Sequence, residues 1–562
     1  MGDVERFEKI CLAMMDHAFY PHPVQALERR DTHISAVFLT GDWVYKLKKP
    51  FDFGFLDYTS LENRRLMCER EVSLNQRLSS GVYDGVIAVR RSGESIHLGS
   101  VGEAVEYAVK MRQLPDRAAL SSLLVRGCAG HDDMVRLGRM LGAFYSRSPR
   151  NPEIDRYGNA EVISFNTEEN FRQLSPFVGT LISGSPLEFV KEAGRGFFRD
   201  CTRRFDRRVE EERIRDGHGD LRAEHVYLID RIECPEPDFD RAKEERAIQI
   251  IDCIEFNERF RYGDAASDLA FLHMDMERTG HSDLSLSVLS GYIEESGDCG
   301  VYTVLDFYSC YRAVVKLKVS CLTWNELQDG ARRDEMKTRV GLYLALALRY
   351  AVQFSRPTIW VFCGLPGTGK STLAERVRDV FGIMLLRSDQ VRTELPEYAS
   401  RTGPVPLGTG IYRQGPRGRV YAHLLALAQG ELKKGMSVIL DATFSQRHWR
   451  EEAVRLAEDM DANILFFECV SSEATMLARL GRREAGERNE DGRPAARESL
   501  SDARVEHLPG LLARFEPLNE LPSQLRSIID TDKNLPDECL RKVLPQAYVM
   551  RRSQVEKVME RL

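Results

Sequence analysis

The sequence predicts two domains of different class, a two-lobed α+β domain followed by an α/β domain with a parallel sheet. Three observations predict this. The run GLPGTGKST, Gly364 to Thr372, lies between an apolar stretch at 359–363 and a helical pattern, well past the middle of the 562 residues. Residues 31–115 read as strands around one helix that carries acidic residues. Apolar runs at 383–386, 437–440 and 464–469 lead into polar residues, as strands of an open α/β sheet do at a ligand crevice.

Composition narrows the class. Hydrophobic residues make up 43% of the chain, normal for buried cores, and a net charge of −7 excludes a globally basic nucleic-acid coat. The longest apolar segment, 340–352, is interrupted by Arg349 and is too short for a membrane span. The N-terminus reads as an amphipathic helix without a signal-peptide core, and Gly2 lacks the Ser or Thr of a myristoylation site. Twelve cysteines occur without a CxxC pair or a Cys/His cluster. Reduced thiols in a cytoplasmic protein, with no structural zinc and no membrane partner, are therefore expected.

In the first domain, strands are expected at 34–39 and 43–48 around a turn at Gly41-Asp42. Val44, Lys46 and Lys48 then share one strand face. A helix at 61–78 offers Glu69 and Glu71 as acidic partners for a strand lysine. Further strands at 86–89, 95–98 and 105–111 run into Arg112-Gln113-Leu114-Pro115, a candidate hinge. Downstream, GHGDLRAEHV puts Asp220 on a loop, with His225 five residues later. The apolar run at 247–251 delivers Asp252, and Asp264 and Asp268 follow. Phosphoryl transfer needs such parts: a base near the acceptor hydroxyl, a carboxylate for Mg²⁺ and a lysine on the phosphates.

On these residues, 30 to about 350 resemble the aminoglycoside phosphotransferase family, which has the protein-kinase-like fold. The resemblance implies Asp220 as catalytic Asp, Asp252 as Mg²⁺ ligand, Lys46 as the nucleotide lysine and Glu71 as its ion-pair partner. It also implies that Asp268 props the catalytic loop. His225 stands where the family carries a metal-ligating Asn, and imidazole favours softer ions than Mg²⁺. The expected limits are 1–354 for this domain, with a small lobe of about 25–115 and a large lobe of about 116–354, closed by a helical pattern at 304–354. Acidic runs at 210–212 and 233–240 suit a cationic acceptor or simply a solvated face.

The second domain, 357–562, opens on the phosphate-binding loop. Gly364, Gly367 and Gly369 allow backbone N–H groups to face phosphates, with Thr368 among them and the helix N-terminus adding its dipole. Lys370 is expected on the β- and γ-phosphates, Ser371 on Mg²⁺, and Thr372 completes the motif. Asp389 follows the second strand and is placed to take a proton from a substrate hydroxyl, with Arg392 one turn on to hold an anionic group. Asp441 ends the third strand, where an acidic group orients Mg²⁺. Arg479, Arg482 and Arg483 lead into a polar excursion that reads as a lid, with Arg483 neutralising developing charge. A loop at 401–419 carries Arg401, Arg413, Arg417 and Arg419 around Tyr412, suited to an anionic acceptor.

This second domain resembles P-loop kinases of small molecules or nucleic-acid ends. The pattern Asp389-x-x-Arg392 with Asp441-Ala442-Thr443 is similar to polynucleotide 5′-hydroxyl kinases, and gluconate-type and zeta-type toxin kinases share the layout. The combination resembles a bacterial family that fuses an aminoglycoside phosphotransferase-like domain to a P-loop kinase. It implies an ATP- and Mg²⁺-dependent phosphotransferase acting on a hydroxyl of unidentified identity. In the alternative, the first domain is a nucleotide-binding regulator of the second, or the whole is an ATPase switch.

Overall fold

The computed structural model describes residues 3–52, 54, 56–231, 247–394, 414–485 and 503–560. They form two compact units, 1–163 with 205–297 and 164–204 with 298–562. No helix among the described residues is long and apolar enough to cross a membrane. The acidic run at 233–240, most of the loop at 401–419 and most of the expected lid lie outside the described residues.

Six antiparallel strands build one end of the first unit: β1 (Glu28–Asp31), β2 (Ser35–Leu39), β3 (Trp43–Lys48), β4 (Tyr83–Ser92), β5 (Ser95–Leu98) and β6 (Glu103–Arg112). Their order is β1-β2-β3-β6-β4-β5. The β2–β3 hairpin turns at Gly41, whose φ of +99° is open to glycine and costly for other residues. Register is fixed by Val37 opposite Lys46 and Lys46 opposite Val109. The helix Leu61–Asn75 starts at Ser60, whose hydroxyl accepts the Asn63 N–H, and buries Arg64, Cys68, Glu71, Leu74 and Asn75. Its inner face is largely polar because it carries ion pairs: Arg64 meets Glu106 at 2.9 Å, both buried.

Four short strands frame the loop that follows, β7 (Ile214–Asp216), β8 (Val226–Leu228), β9 (Ile248–Ile250) and β10 (Tyr262–Asp264), paired β7 with β10 and β8 with β9. The helices His131–Arg147 and Ser282–Ser296 approach closely, since a Cβ at Gly138 or Gly291 would strike the facing backbone carbonyl.

The second unit holds a parallel sheet of β11 (Thr358–Cys363), β12 (Met384–Arg387), β13 (Val438–Asp441), β14 (Asn463–Val470) and β15 (Arg526–Asp530), in the order β12-β13-β11-β14-β15. Every residue of β11 and β13 is buried, which is why both read as unbroken apolar runs. The helices Leu305–Glu326 and Gly330–Ser355 belong to this unit. Their polar anchors explain it: Arg551, on the helix Pro536–Met559, pairs with Asp306 at 3.1 Å and donates to the Gln353 carbonyl at 2.8 Å. Compactness thus divides the chain elsewhere than the sequence break at 354–357.

Candidate functional site

In the first unit, β3 and the helix Leu61–Asn75 bring Lys46 Nζ to 2.9 Å from Glu71 Oε1. Lys46 also donates to Asp252 Oδ1 at 2.8 Å. Glu71 is buried and shares its second oxygen with Lys48, which also pairs with Glu255. Tyr58 donates to Glu255 at 2.6 Å. Burial opposes charge on every member, yet Lys46 is driven above its ordinary range by Asp252 and Glu71, and the two lysines hold Glu71 below its own. Glu69 instead pairs with Arg65 at 2.7 Å on the exposed face.

The loop after β7 is held by Asp268, which accepts the His218 N–H at 2.7 Å, the Gly219 N–H at 3.0 Å and the Tyr145 hydroxyl at 3.0 Å. Asp220, His225 and Asp252 converge so that one potential metal-binding atom of each lies within 4.8 Å of the others. Asp252 sits at φ +66°, a left-handed backbone uncommon for Asp outside functional turns. Lys46 and His225 overcome the cost of enclosing its charge and hold its carboxyl well below the usual range. Burial, then the Arg222 charge, push the His225 imidazole below its ordinary value. Asp220 is gripped by Arg222, whose Nε reaches both carboxylate oxygens at 3.0 Å and whose Nη2 lies 2.8 Å from one.

In the second unit the chain leaves β11 into Gly364, Gly367 and Gly369, at φ of +131°, +84° and +80°. A Cβ on Gly364 would strike the Cys469 carbonyl, so glycine is required there. The helix Lys370–Phe381 begins at the loop's end and carries Lys370, Ser371 and Thr372 in its first turn. Thr368 is buried and donates its hydroxyl to the Leu365 carbonyl at 2.8 Å. Asp441, at the end of β13, is 5% exposed, and its Oδ1 has no hydrogen-bond partner among the described residues. Burial raises its carboxyl above the usual range, against the opposing pull of Lys370, the Ser371 hydroxyl and Arg387. Asp389 and Arg392 pair with each other at 2.9 Å on the helix Ser388–Glu394. Arg483 is half-buried, its basicity lowered by burial and partly restored by Asp389 and Asp441.

An AAA domain family model matches residues 359–518, which include the phosphate loop, Asp389, Asp441 and Arg483. The uncharacterized protein Rv2004c of Mycobacterium tuberculosis is 32% identical over 470 residues, covering 83% of this chain and 88% of that protein. The chain belongs to the Rv2004c family. Among solved structures, a choline/ethanolamine kinase family protein from Mesorhizobium loti is similar at 12% identity, covering 62% of this chain and 99% of its own, with a TM-score of 0.34. A gluconokinase from Sinorhizobium meliloti 1021 is similar at 16% identity, covering 37% and 98%, with a TM-score of 0.26. This member of the Rv2004c family carries, in its second unit, an α/β P-loop fold with a parallel sheet, over which the AAA domain model matches.

The structure also adds residues that sequence reasoning passed over. Lys48, Glu255 and Tyr58 extend the Lys46–Glu71 pair into a buried network. Thr531, after β15, donates to the Thr368 carbonyl at 2.7 Å. Arg479, read as part of a lid, donates to the Gly367 carbonyl at 3.2 Å and to Thr531 Oγ1 at 3.1 Å, so it braces the phosphate loop. The repeated basic-position pattern of β3 signals Lys48; Thr531 has no local motif, since its partner is 163 positions away.

Proposed function

We propose that the chain is an ATP- and Mg²⁺-dependent phosphotransferase with one site in each of two domains, 1–354 and 357–562. The observation that carries the reading is Asp441 Oδ1, a buried carboxylate oxygen without a partner beside Lys370 and Ser371. The other Asp441 oxygen lies 3.7 Å from Arg387, and a buried oxygen left open in this way suits completion by a ligand. Ser371 and Asp441 fit Mg²⁺, an ion that takes hard oxygen ligands and supplies charge neutralisation on the phosphates. Lys370 and the loop N–H groups bind the β- and γ-phosphates, and Arg483 meets the transferring group. Asp389 takes the acceptor proton as the new bond from acceptor oxygen to phosphorus forms and the bond to ADP breaks. Arg392, one turn from Asp389, orients an anionic acceptor, which favours a phosphorylated small molecule or a nucleic-acid 5′ end.

In the first unit, Lys46, secured by Glu71, holds the nucleotide phosphates, and Asp220 is the base. Asp252 and His225 with Asp220 form a donor set of two carboxylates and an imidazole, which fits a divalent cation and tilts the preference toward ions softer than Mg²⁺. The test is γ-labelled ATP offered with RNA, protein and small-molecule fractions to the Asp220→Ala and Lys370→Ala chains. Each variant should lose one class of labelled product and keep the other.

A second reading, in which the first unit regulates the second, is favoured by the grip of Arg222 on Asp220. Under it, Asp220→Ala leaves every labelled product in place and changes only the dependence of labelling on ATP concentration.

A further inference from the structure

Within the second unit a cavity of about 40 Å³ is lined by Arg204, Tyr302, Asp306, Arg356 and Arg551 among aromatic walls that include Trp360 and Phe381. Thr358, the first residue of β11, and Ser437, which precedes β13, also line it. The cavity therefore lies at the N-terminal end of the parallel strands, whereas the phosphate loop follows their C-terminal ends.

Its charges do not balance. Three arginines face one carboxylate. Arg551 takes Asp306 at 3.1 Å, and Arg356 turns to Asp461, which is not part of the wall. Arg204 makes no ion pair among the described residues; it donates to the Thr303 carbonyl at 3.0 Å and lies over the Phe197 ring at 5.5 Å. Burial, with the nearby Arg551 charge, lowers its basicity. Two further polar atoms of lining residues are buried without hydrogen-bond partners among the described residues, the Tyr302 hydroxyl, on a residue only 6% exposed, and Arg551 Nε. An arginine N–H only donates, and a hydroxyl donates readily. Unfilled donors beside surplus positive charge call for a ligand that accepts hydrogen bonds and carries negative charge, and the aromatic walls strengthen such contacts by excluding water.

We propose that this cavity binds a small oxyanion, a phosphate or carboxylate group, through Arg204, Arg551 and Tyr302. The site is separate from the phosphate loop and does not depend on what that loop does.

Calorimetric titration of the full chain carrying Lys370→Ala, in buffer free of phosphate and sulfate, tests the proposal. Inorganic phosphate and acetate are the probes, one for each oxyanion class. A saturable isotherm is expected with at least one of them. Its affinity should fall about tenfold or more with Arg204→Met and about threefold to tenfold with Tyr302→Phe, the range expected for losing a hydrogen bond to a charged partner. Isotherms unchanged by both substitutions, or no binding of either anion, would overturn it. If Arg204→Met does not fold, Tyr302→Phe, which removes a single oxygen, decides alone.

Discussion

The two candidate sites differ in how their charges are settled. In the first unit the ionic groups answer one another: Lys46 bridges Glu71 and Asp252, Lys48 bridges Glu71 and Glu255, and Arg222 forks onto Asp220. In the second unit Asp389 pairs with Arg392 and one Asp441 oxygen lies 3.7 Å from Arg387, but the other has no hydrogen-bond partner among the described residues, and burial raises the carboxyl. A nucleotide proposed for the first site would have to exchange existing pairs for new ones, while a nucleotide and cation proposed for the second would complete a valence already open. Buried charge is held by close pairing in the first site and by the neighbouring Lys370, Ser371 and Arg387 around Asp441 in the second.

The largest expected effect sharpens the open site. Asp441→Ala should lower phosphotransfer by the second unit on the order of 10²- to 10³-fold, as loss of a preorganised electrostatic group does, measured as kcat at saturating ATP. A fall of less than tenfold would mean that the unpaired oxygen is not where the cation sits. Next, Glu71→Ala in the settled site removes the shared counterion of buried Lys48 and half-buried Lys46 and should cost about 3–5 kcal/mol in the denaturant transition of the first unit. A loss under about 1 kcal/mol would show the pairs to be no better than exposed ones.

Acid should also weaken the settled unit. Burial pushes the His218 imidazole down to about 4, so the folded state holds it neutral while the unfolded chain protonates near 6.5. Between these values the unfolded state binds more protons, so stability falls as pH drops from 6.5 toward 4, by about 3 kcal/mol in all. His218→Gln should flatten that slope in denaturation measured across the window. The smallest effect concerns the brace on the phosphate loop: Thr531→Val removes the hydrogen bond to the Thr368 carbonyl and should cost about 1 kcal/mol, with a higher KM for ATP.

Much of both sites was legible because their parts are local. Gly364 to Thr372 announces its own backbone, Lys46 lies within a readable strand, Asp252 follows one, and Asp220 sits on a readable loop. What stayed hidden depends on distant partners. The helix Leu61–Asn75 turns a polar face inward, so apolar periodicity does not show that Arg64 and Glu71 are buried. Strand β15 alternates too weakly to announce a fifth strand, though Thr531 follows its end. Nor does the sequence show that the helices Leu305–Glu326 and Gly330–Ser355 join the phosphate-loop unit, because Arg551 reaches Asp306 across 245 positions. The pairing of Asp389 with Arg392, by contrast, follows from their spacing of three on a helix.

The central claim is that one chain carries two phosphotransfer sites of unlike readiness. Transfer of label from γ-labelled ATP to fractionated cell extract, compared among the unaltered chain, Lys370→Ala, Asp220→Ala and the double variant, tests it most directly. The account predicts that each single variant loses a different labelled product and the double variant loses both. The same labelled products from the double variant as from the unaltered chain, or label released only to water by all four, would contradict it.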